Sequence, residues 1–350
     1  MADDITTIAL AGSGDNADHW GKALRGCEGV QLERLSADAD GLLESLSRPG
    51  IHAIAFAAST GDLAGAVRRS VLAGRHVLIA GGAALTSKQL LALADLSSRR
   101  GRSIVIEDGV VADDQLAFVQ KMTSGANPLW RPRYLRALST GCGADARLDE
   151  VATAEIGRVL AVAGGLPSSI AAWSPRIDDE SGAAEAVMMT LRFDGGLVAR
   201  VDVSLVEAAV RCELVIACDA RTIVLQPLNR EASLLIQAGG RHRGPKLPGP
   251  WAETVSEHPV GDRPDRASAV AEFFVDAIRS GRPATTNAEE AARGALTWER
   301  ARASIARDGE PIAVSPSSQF AGRPNLEVIE GGGHTCAAQE APRLTLVARQ

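Results

Sequence analysis

Short apolar runs alternate with amphipathic stretches over the first third of the chain. Ile5–Ala11, Val30–Leu35, Ile51–Ala57, His76–Ile79 and Ser103–Ile106 read as strands, although Glu33 and Arg34 sit awkwardly in the second. Helical spacing covers the segment up to Leu24, then Leu42–Leu46, Leu63–Ala73, Ser87–Arg100 and Asp113–Met122, with Gly74 and Gly101 as stops. Strands alternating with helices in this way predict right-handed βαβ units and a parallel sheet.

The pattern changes after Asn127–Arg133, a crossover marked by Pro128 and Pro132. Tyr134–Leu138 reads as a strand and Glu150–Val162 as a helix ended by Gly164-Gly165-Leu166-Pro167. Strands are then expected at Ser169–Trp173, Ala186–Phe193, Leu197–Val203, Cys212–Ala217 and Thr222–Leu225. Asp194-Gly195-Gly196 is a hairpin signal, and Asp219-Ala220-Arg221 is a second turn. Arg230–Asp265, rich in Gly and Pro, reads as a long irregular loop. Ala267–Arg279 and Asn287–Ala306 read as helices, the latter with Asn287 as N-cap. The expected class is therefore α/β: an N-terminal Rossmann parallel sheet plus a C-terminal α+β domain with an open, mostly antiparallel sheet. The expected bounds are 1–125 for the dinucleotide-binding domain, 126–314 for the second domain, with helices 267–306 packing back, and 315–350 for an extension. Two apolar patches in that extension, Leu326–Ile329 and Leu344–Val347, would add strands or bind a partner, the alternative being a floppy tail.

Composition narrows the function. Apolar residues make up 45% of the 350 residues, which is ample for two cores. Aromatics are 3%, so those cores are built mainly of Ala, Val, Leu and Ile. With 37 basic and 43 acidic residues interspersed, the net charge is −6, and no basic stripe points to nucleic acid. The five cysteines are widely spaced, without a CxxC pair or a Cys/His cluster, so no metal site is expected. No apolar run approaches the ~18 residues of a membrane span. The polar start Met1-Ala2-Asp3-Asp4 does not read as a secretory signal, so the expected compartment is the cytoplasm.

The first strand leads into Gly12-Ser13-Gly14-Asp15-Asn16-Ala17, a G-x-G-x-x-A turn opening a helix. Glycines there permit a tight turn and close approach of a pyrophosphate, and a small third residue lets helix and strand pack together. The helix start offers free N–H groups to phosphates. Gly12, Ser13, Gly14, Asn16 and Ala17, with Asp38 and Ala58, are the candidate residues for NAD or NADP, the alternative for the motif being a plain tight βα turn. Asp38 follows the second strand, where a carboxylate would hold the ribose diol, and a solvated loop aspartate is the alternative. Asp15 would oppose the pyrophosphate unless it turns outward or caps the helix. Arg34 would favour a 2′-phosphate.

The order of these segments resembles the Gfo/Idh/MocA oxidoreductases, which include glucose-fructose oxidoreductase and inositol dehydrogenase. The likeness rests on Ile8–Leu24, Ile51–Ala57, Ala73–Ile79 with Ala83–Thr86, and Gly164–Pro167 followed by Arg192–Gly196, and spans about residues 5 to 313. The resemblance implies hydride exchange between NAD(P) and a carbinol carbon of a sugar or cyclitol. It also implies a lysine within a Glu-Lys-Pro motif, a Gly-His segment after the next strand, and an Asp and a His four residues apart on a helix. Here Ala80-Gly81-Gly82 replaces the first, with Gly81 at the lysine, and Glu107-Asp108 replaces the second. Glu150 and Ala154 align with the third. No histidine lies between His76 and His242. Glu107, Asp108 and Glu150 are the candidate substitutes for acid–base work, against a plain structural use of each, and Lys88 reads as a solvated helix lysine.

The expectation is a family-like fold without the usual dehydrogenation, as a ligand-binding protein or the non-catalytic subunit of a heteromeric enzyme. The alternatives are an NAD(P)-dependent sugar or polyol oxidoreductase with non-standard catalytic residues, or a cofactor-free structural or regulatory protein. The expected partners are a small-molecule ligand and a homo- or hetero-oligomer formed through the sheet of the second domain, with no nucleic acid and no membrane.

Overall fold

The computed structural model describes residues 5–35, 46–57, 62–80, 85–125, 130–142, 146–175, 184–219, 221–226, 234–238, 255–258, 265–280 and 285–314. The chain divides into two compact units. Of the described residues, the first holds 5–114 and 265–298, and the second holds 115–258 and 299–314.

The first unit is built on a five-stranded sheet in the order β2-β1-β3-β4-β5. Its strands are β1 (Thr6–Ala11), β2 (Val30–Leu35), β3 (Ala53–Phe56), β4 (His76–Ile79) and β5 (Ile104–Ile106). Every pairing is parallel. Burial explains the near-continuous apolar strands: Ala53–Phe56 is buried at every position, as expected where helices cover both faces. Ile8, Leu10, Ala55, Leu78 and Val105 share one core with residues of α1 (Gly14–Gly26) and α6 (Arg266–Arg279). β2 is the edge strand and only half-buried, which is why Glu33 and Arg34 are tolerated in it. Between the strands lie α2 (Leu63–Leu72) and α3 (Ser87–Arg100). Thr86 and Gln89 form a reciprocal capping box at the start of α3, and Gly101 ends that helix at φ +62. The expected helix at Leu42–Leu46 falls outside the described residues except for Leu46.

α4 (Asp114–Ser124) leads into the second unit, whose nine-stranded sheet has the order β13-β12-β11-β10-β6-β9-β8-β7-β14. The strands are β6 (Pro132–Thr140), β7 (Ser169–Trp173), β8 (Ala186–Arg192), β9 (Val198–Ser204), β10 (Arg211–Cys218), β11 (Arg221–Leu225), β12 (Leu234–Ala238), β13 (Val255–His258) and β14 (Ile312–Ala313). All pairs are antiparallel except β6 with β9. Leu135, Ala137, Val187, Val201 and Ile216 are buried on the face carrying α5 (Leu148–Ala163). The alternate residues Tyr134, Arg136, Met188 and Arg200 are exposed on the other face.

Two expectations change. The segment Arg230–Asp265 is not simply an irregular loop, because it contributes β12 and β13, which extend the sheet from β11. Pro132 belongs to β6 rather than to the crossover. It is the strand's first residue and sits at a register shift opposite Cys218, where a missing N–H is tolerated. Ile312–Ala313 pairs with β7, while residues 315–350 lie outside the described set.

Candidate functional site

At the end of β1 the chain turns through Gly12-Ser13-Gly14 into α1. Gly14 has φ +78, a region that glycine enters without steric cost. A Cβ built on it would meet nothing within 4 Å, so the space above the turn is open. Ser13 stands at the N-cap in extended conformation, and its side chain makes no capping bond. Residues Ser13 to Asn16 are exposed, whereas Ala17 is fully buried and lets α1 lie against the sheet. The Asn16 amide donates to the Ala57 carbonyl at 2.6 Å, tying the turn to the end of β3. β2 and β3 flank β1 on opposite sides, so the turn lies at the point where strand order reverses, the usual ligand crevice of an open parallel sheet.

Asp15 is exposed in the first turn of α1. Arg34 is ion-paired to Asp18. Asp38, Ala58 and Gly81 lie outside the described residues. Ala80, just before Gly81, is buried, and Lys88 is exposed on α3.

The end of β5 carries a denser polar cluster. Glu107 Oε1 accepts from Arg266 Nε at 2.6 Å, at the first residue of α6. Asp108 Oδ1 accepts the Val110 and Val111 N–H groups at 2.9 and 3.0 Å. Asp108 Oδ2 accepts from Asn287 Nδ2 at 2.9 Å. Asn287 also accepts from Ile106 N–H at 2.8 Å and donates to the Ile106 carbonyl at 2.7 Å. Its amide thus continues along the outer edge of β5 the pairing that Thr285 and Thr286 make with Ile104. It occupies the position before α7 (Ala288–Ile305), as expected of an N-cap, but its side chain is spent on β5 and Asp108. Burial pushes the Asp108 carboxyl up, against the two backbone N–H bonds and the Arg266 charge. Burial also raises Glu290, in the first turn of α7, to about 7; Arg293 opposes this, and Asp108 and Glu289 reinforce it.

Glu107 and Asp108 are therefore adjacent at one strand end, each with a partner from the 266–287 region. Glu150 belongs to the second unit, in the first turn of α5, with Arg147 4.0 Å away. Arg266, Asn287 and Glu290 were not among the expected site residues. Nothing in sequence links Arg266 to a glutamate 159 positions earlier, whereas Glu290 was readable as a helix-start acid. Among the described residues no group of three or more His, Cys, Asp or Glu is placed to hold a metal ion. Among the same residues no helix is long and apolar enough to cross a membrane.

No family model and no curated protein sequence matches the chain. Solved structures match it in fold. GenD2 from gentamicin A biosynthesis, solved in complex with NAD, aligns at a TM-score of 0.71 and 15% identity, covering 89% of this chain and 97% of that one. The UDP-N-acetylglucosamine 3-dehydrogenase GnnA from Acidithiobacillus ferrooxidans aligns at 0.67 and 18%, covering 85% and 97%. An oxidoreductase from Agrobacterium radiobacter, solved with NAD+, L-tartaric acid and magnesium, aligns at 0.68 and 14%, covering 88% and 98%. The chain has the fold of these oxidoreductases, as the Gfo/Idh/MocA resemblance implied.

Proposed function

We propose that the chain binds NAD or NADP at the Gly12–Ala17 turn but does not perform the dehydrogenation usual for Gfo/Idh/MocA proteins. It serves instead as a ligand-binding protein or as the partner subunit of a catalytic chain. The observation that carries the reading is the turn itself: positive φ at Gly14, open space above it, an uncapped helix start and a position at the strand-order reversal. The backbone N–H groups of Ser13 to Asn16 would hold the pyrophosphate, with Ala17 keeping the helix close to the strand. A bound nicotinamide supplies a hydride donor or acceptor.

What argues against turnover is the state of the proton-transfer groups. Gly81 has no side chain to move a proton. Glu107 is ion-paired to Arg266, and Asp108 accepts three hydrogen bonds. General acid–base help is worth about 10²–10⁴-fold in rate, so its loss leaves little reaction. Glu290 favours a second reading. A carboxyl that burial pushes up to about 7 is matched to acid–base work near neutral pH, and in an active NAD(P)-dependent sugar or polyol oxidoreductase it would be the acid–base group. The test is a panel of sugars, polyols and hydroxy acids with NAD+ and NADP+, followed by NADH formation. The proposal expects no turnover by the chain alone. Turnover lost in Glu290→Gln establishes the second reading.

For assembly, the exposed face of the nine-stranded sheet is the proposed contact for another subunit. Trp173 and Met188, opposite each other on the ladder, are 57% and 38% exposed there, and Tyr134, 39% exposed, lies towards the other end of the same face. The same face carries paired charges, Arg200 with Asp202 and Arg136 with Glu213. Light scattering of the parent and of Trp173→Glu should show an oligomer in the first and a smaller species in the second.

A further inference from the structure

Cys212, in β10, points to the face covered by α5 and meets a buried ion pair there. Arg158 Nη1 lies 2.8 Å from its sulfur and Glu155 Oε1 lies 3.5 Å away. Glu155 and Arg158 are bonded at 2.9 Å, with side chains 3% and 10% exposed. Directly opposite Cys212 on the antiparallel ladder is Ser139 of β6. Such opposed residues hold their Cβ atoms about 4.5–5.5 Å apart on the same face. The Ser139 hydroxyl in turn contacts the Cys142 sulfur at 3.3 Å. Ser139 thus stands between the two, its hydroxyl on the Cys142 sulfur and its backbone opposite Cys212.

The backbone keeps them there. Thr140 Oγ1 donates to the Ala209 carbonyl at 2.6 Å, and Gly141 N–H donates to the Ser204 carbonyl at 3.1 Å. Gly141 has φ +65, and a Cβ on it would lie 2.8 Å from the Ala209 oxygen. The segment leading to Cys142 is thus pressed against the segment leading to Cys212.

We infer that Cys142 and Cys212 form an oxidisable thiol pair that closes to a disulfide when a hydroperoxide reaches it. The Cys142 thiolate attacks one peroxide oxygen and the O–O bond breaks. The departing oxygen leaves as water or an alcohol, carrying the proton that Cys142 lost, and Cys142 becomes a sulfenic acid. The Cys212 sulfur then attacks the Cys142 sulfur, the S–O bond breaks, and the hydroxyl leaves as water with the Cys212 proton. Two thiols are oxidised and one peroxide is reduced. Burial raises the Cys212 thiol to about 11, which disfavours it as the peroxide-attacking group, and the Arg158 guanidinium against its sulfur offsets part of that cost when it attacks Cys142. Closure draws the Cys212 sulfur away from Glu155 and Arg158, so oxidation perturbs α5 from beneath.

The test uses the reduced full-length chain treated with hydrogen peroxide, then unfolded and alkylated. The expected result is loss of two of the five thiols and a non-reduced peptide joining Cys142 to Cys212. Cys212→Ser should stop at a Cys142 sulfenic acid trapped by dimedone, and Cys142→Ser should form no such disulfide. Peptide mapping of the unsubstituted chain decides the matter even if a variant folds poorly. Survival of all five thiols, or a disulfide joining other cysteines, overturns the inference. Slower exchange of α5 amides after reduction than after oxidation would show the coupling to Glu155 and Arg158, and unchanged exchange would remove that part of it.

Discussion

Replacing Asn287 should be among the most damaging single changes in the first unit. The residue is buried, 3% exposed, and its side chain makes three hydrogen bonds. Asn287→Ala strands the Ile106 N–H, the Ile106 carbonyl and Asp108 Oδ2. At about 1–3 kcal/mol for each buried polar group left unpaired, discounted for relaxation at a sheet edge, the cost is about 3–6 kcal/mol. That is a large share of the ~5–15 kcal/mol that holds a domain together. Asn287→Asp separates the contributions. It keeps an acceptor for the Ile106 N–H but loses both donations and sets a second carboxyl against Asp108. At low pH a shared proton bridges the two carboxyls, and as pH rises the pair must either hold that proton or repel. Asn287→Asp should therefore be milder at pH 5 than at pH 8, while Asn287→Ala should cost nearly the same at both. Urea unfolding gives the totals, and native-state hydrogen exchange at Ile106 locates the effect. A loss under about 1 kcal/mol for Asn287→Ala, or a pH-independent Asn287→Asp, refutes the reasoning.

Glu290 should tie stability to pH. Its carboxyl titrates at about 7 in the fold against 4.5 ordinarily, so ionising it opposes folding. The penalty is absent below 4.5, grows as pH rises towards 7 and is then constant, reaching about 3 kcal/mol at most. Glu290→Gln should raise the urea midpoint at pH 8, change little at pH 4, and flatten the profile between. Gly141→Ala combines a positive φ with a Cβ 2.8 Å from a carbonyl oxygen and should cost more than the roughly 1 kcal/mol of conformational strain alone. Gly164→Ala, at φ +75 with open space around it, is the matched control and should show only the strain. Thr86→Ala removes the capping box of α3 and should cost about 1 kcal/mol, read from the same unfolding curves.

Legibility in the sequence followed the range of the interactions. β1, β3 and β4 were readable because parallel strands buried on both faces are mostly apolar, and α3 because Thr86 and Gly101 mark its ends. The hairpin at Asp194-Gly195-Gly196 was readable because Gly195 at φ +81 meets a local requirement. β12 and β13 were hidden: each is short, and their pairing partners rather than their own pattern make them strands. The glycine turn was visible as a motif, whereas its tie from Asn16 to Ala57 spans 41 positions. The tie of Asn287 to Ile106 spans 181, and the sequence pointed instead to a helix cap, the use that asparagine commonly has there. Glu107 and Asp108 stood out as replacements for a Gly-His segment, but their partners Arg266 and Asn287 are supplied by tertiary structure alone.

The most direct test of the central claim is titration of the purified chain and of Gly14→Val with NADH and NADPH, followed by nicotinamide fluorescence. The parent should bind at least one of them saturably. Gly14→Val, with a branched side chain at φ +78 where the proposal puts the pyrophosphate, should not bind while still folding. Failure of the parent to bind at millimolar cofactor, or equal binding by both chains, would contradict the account.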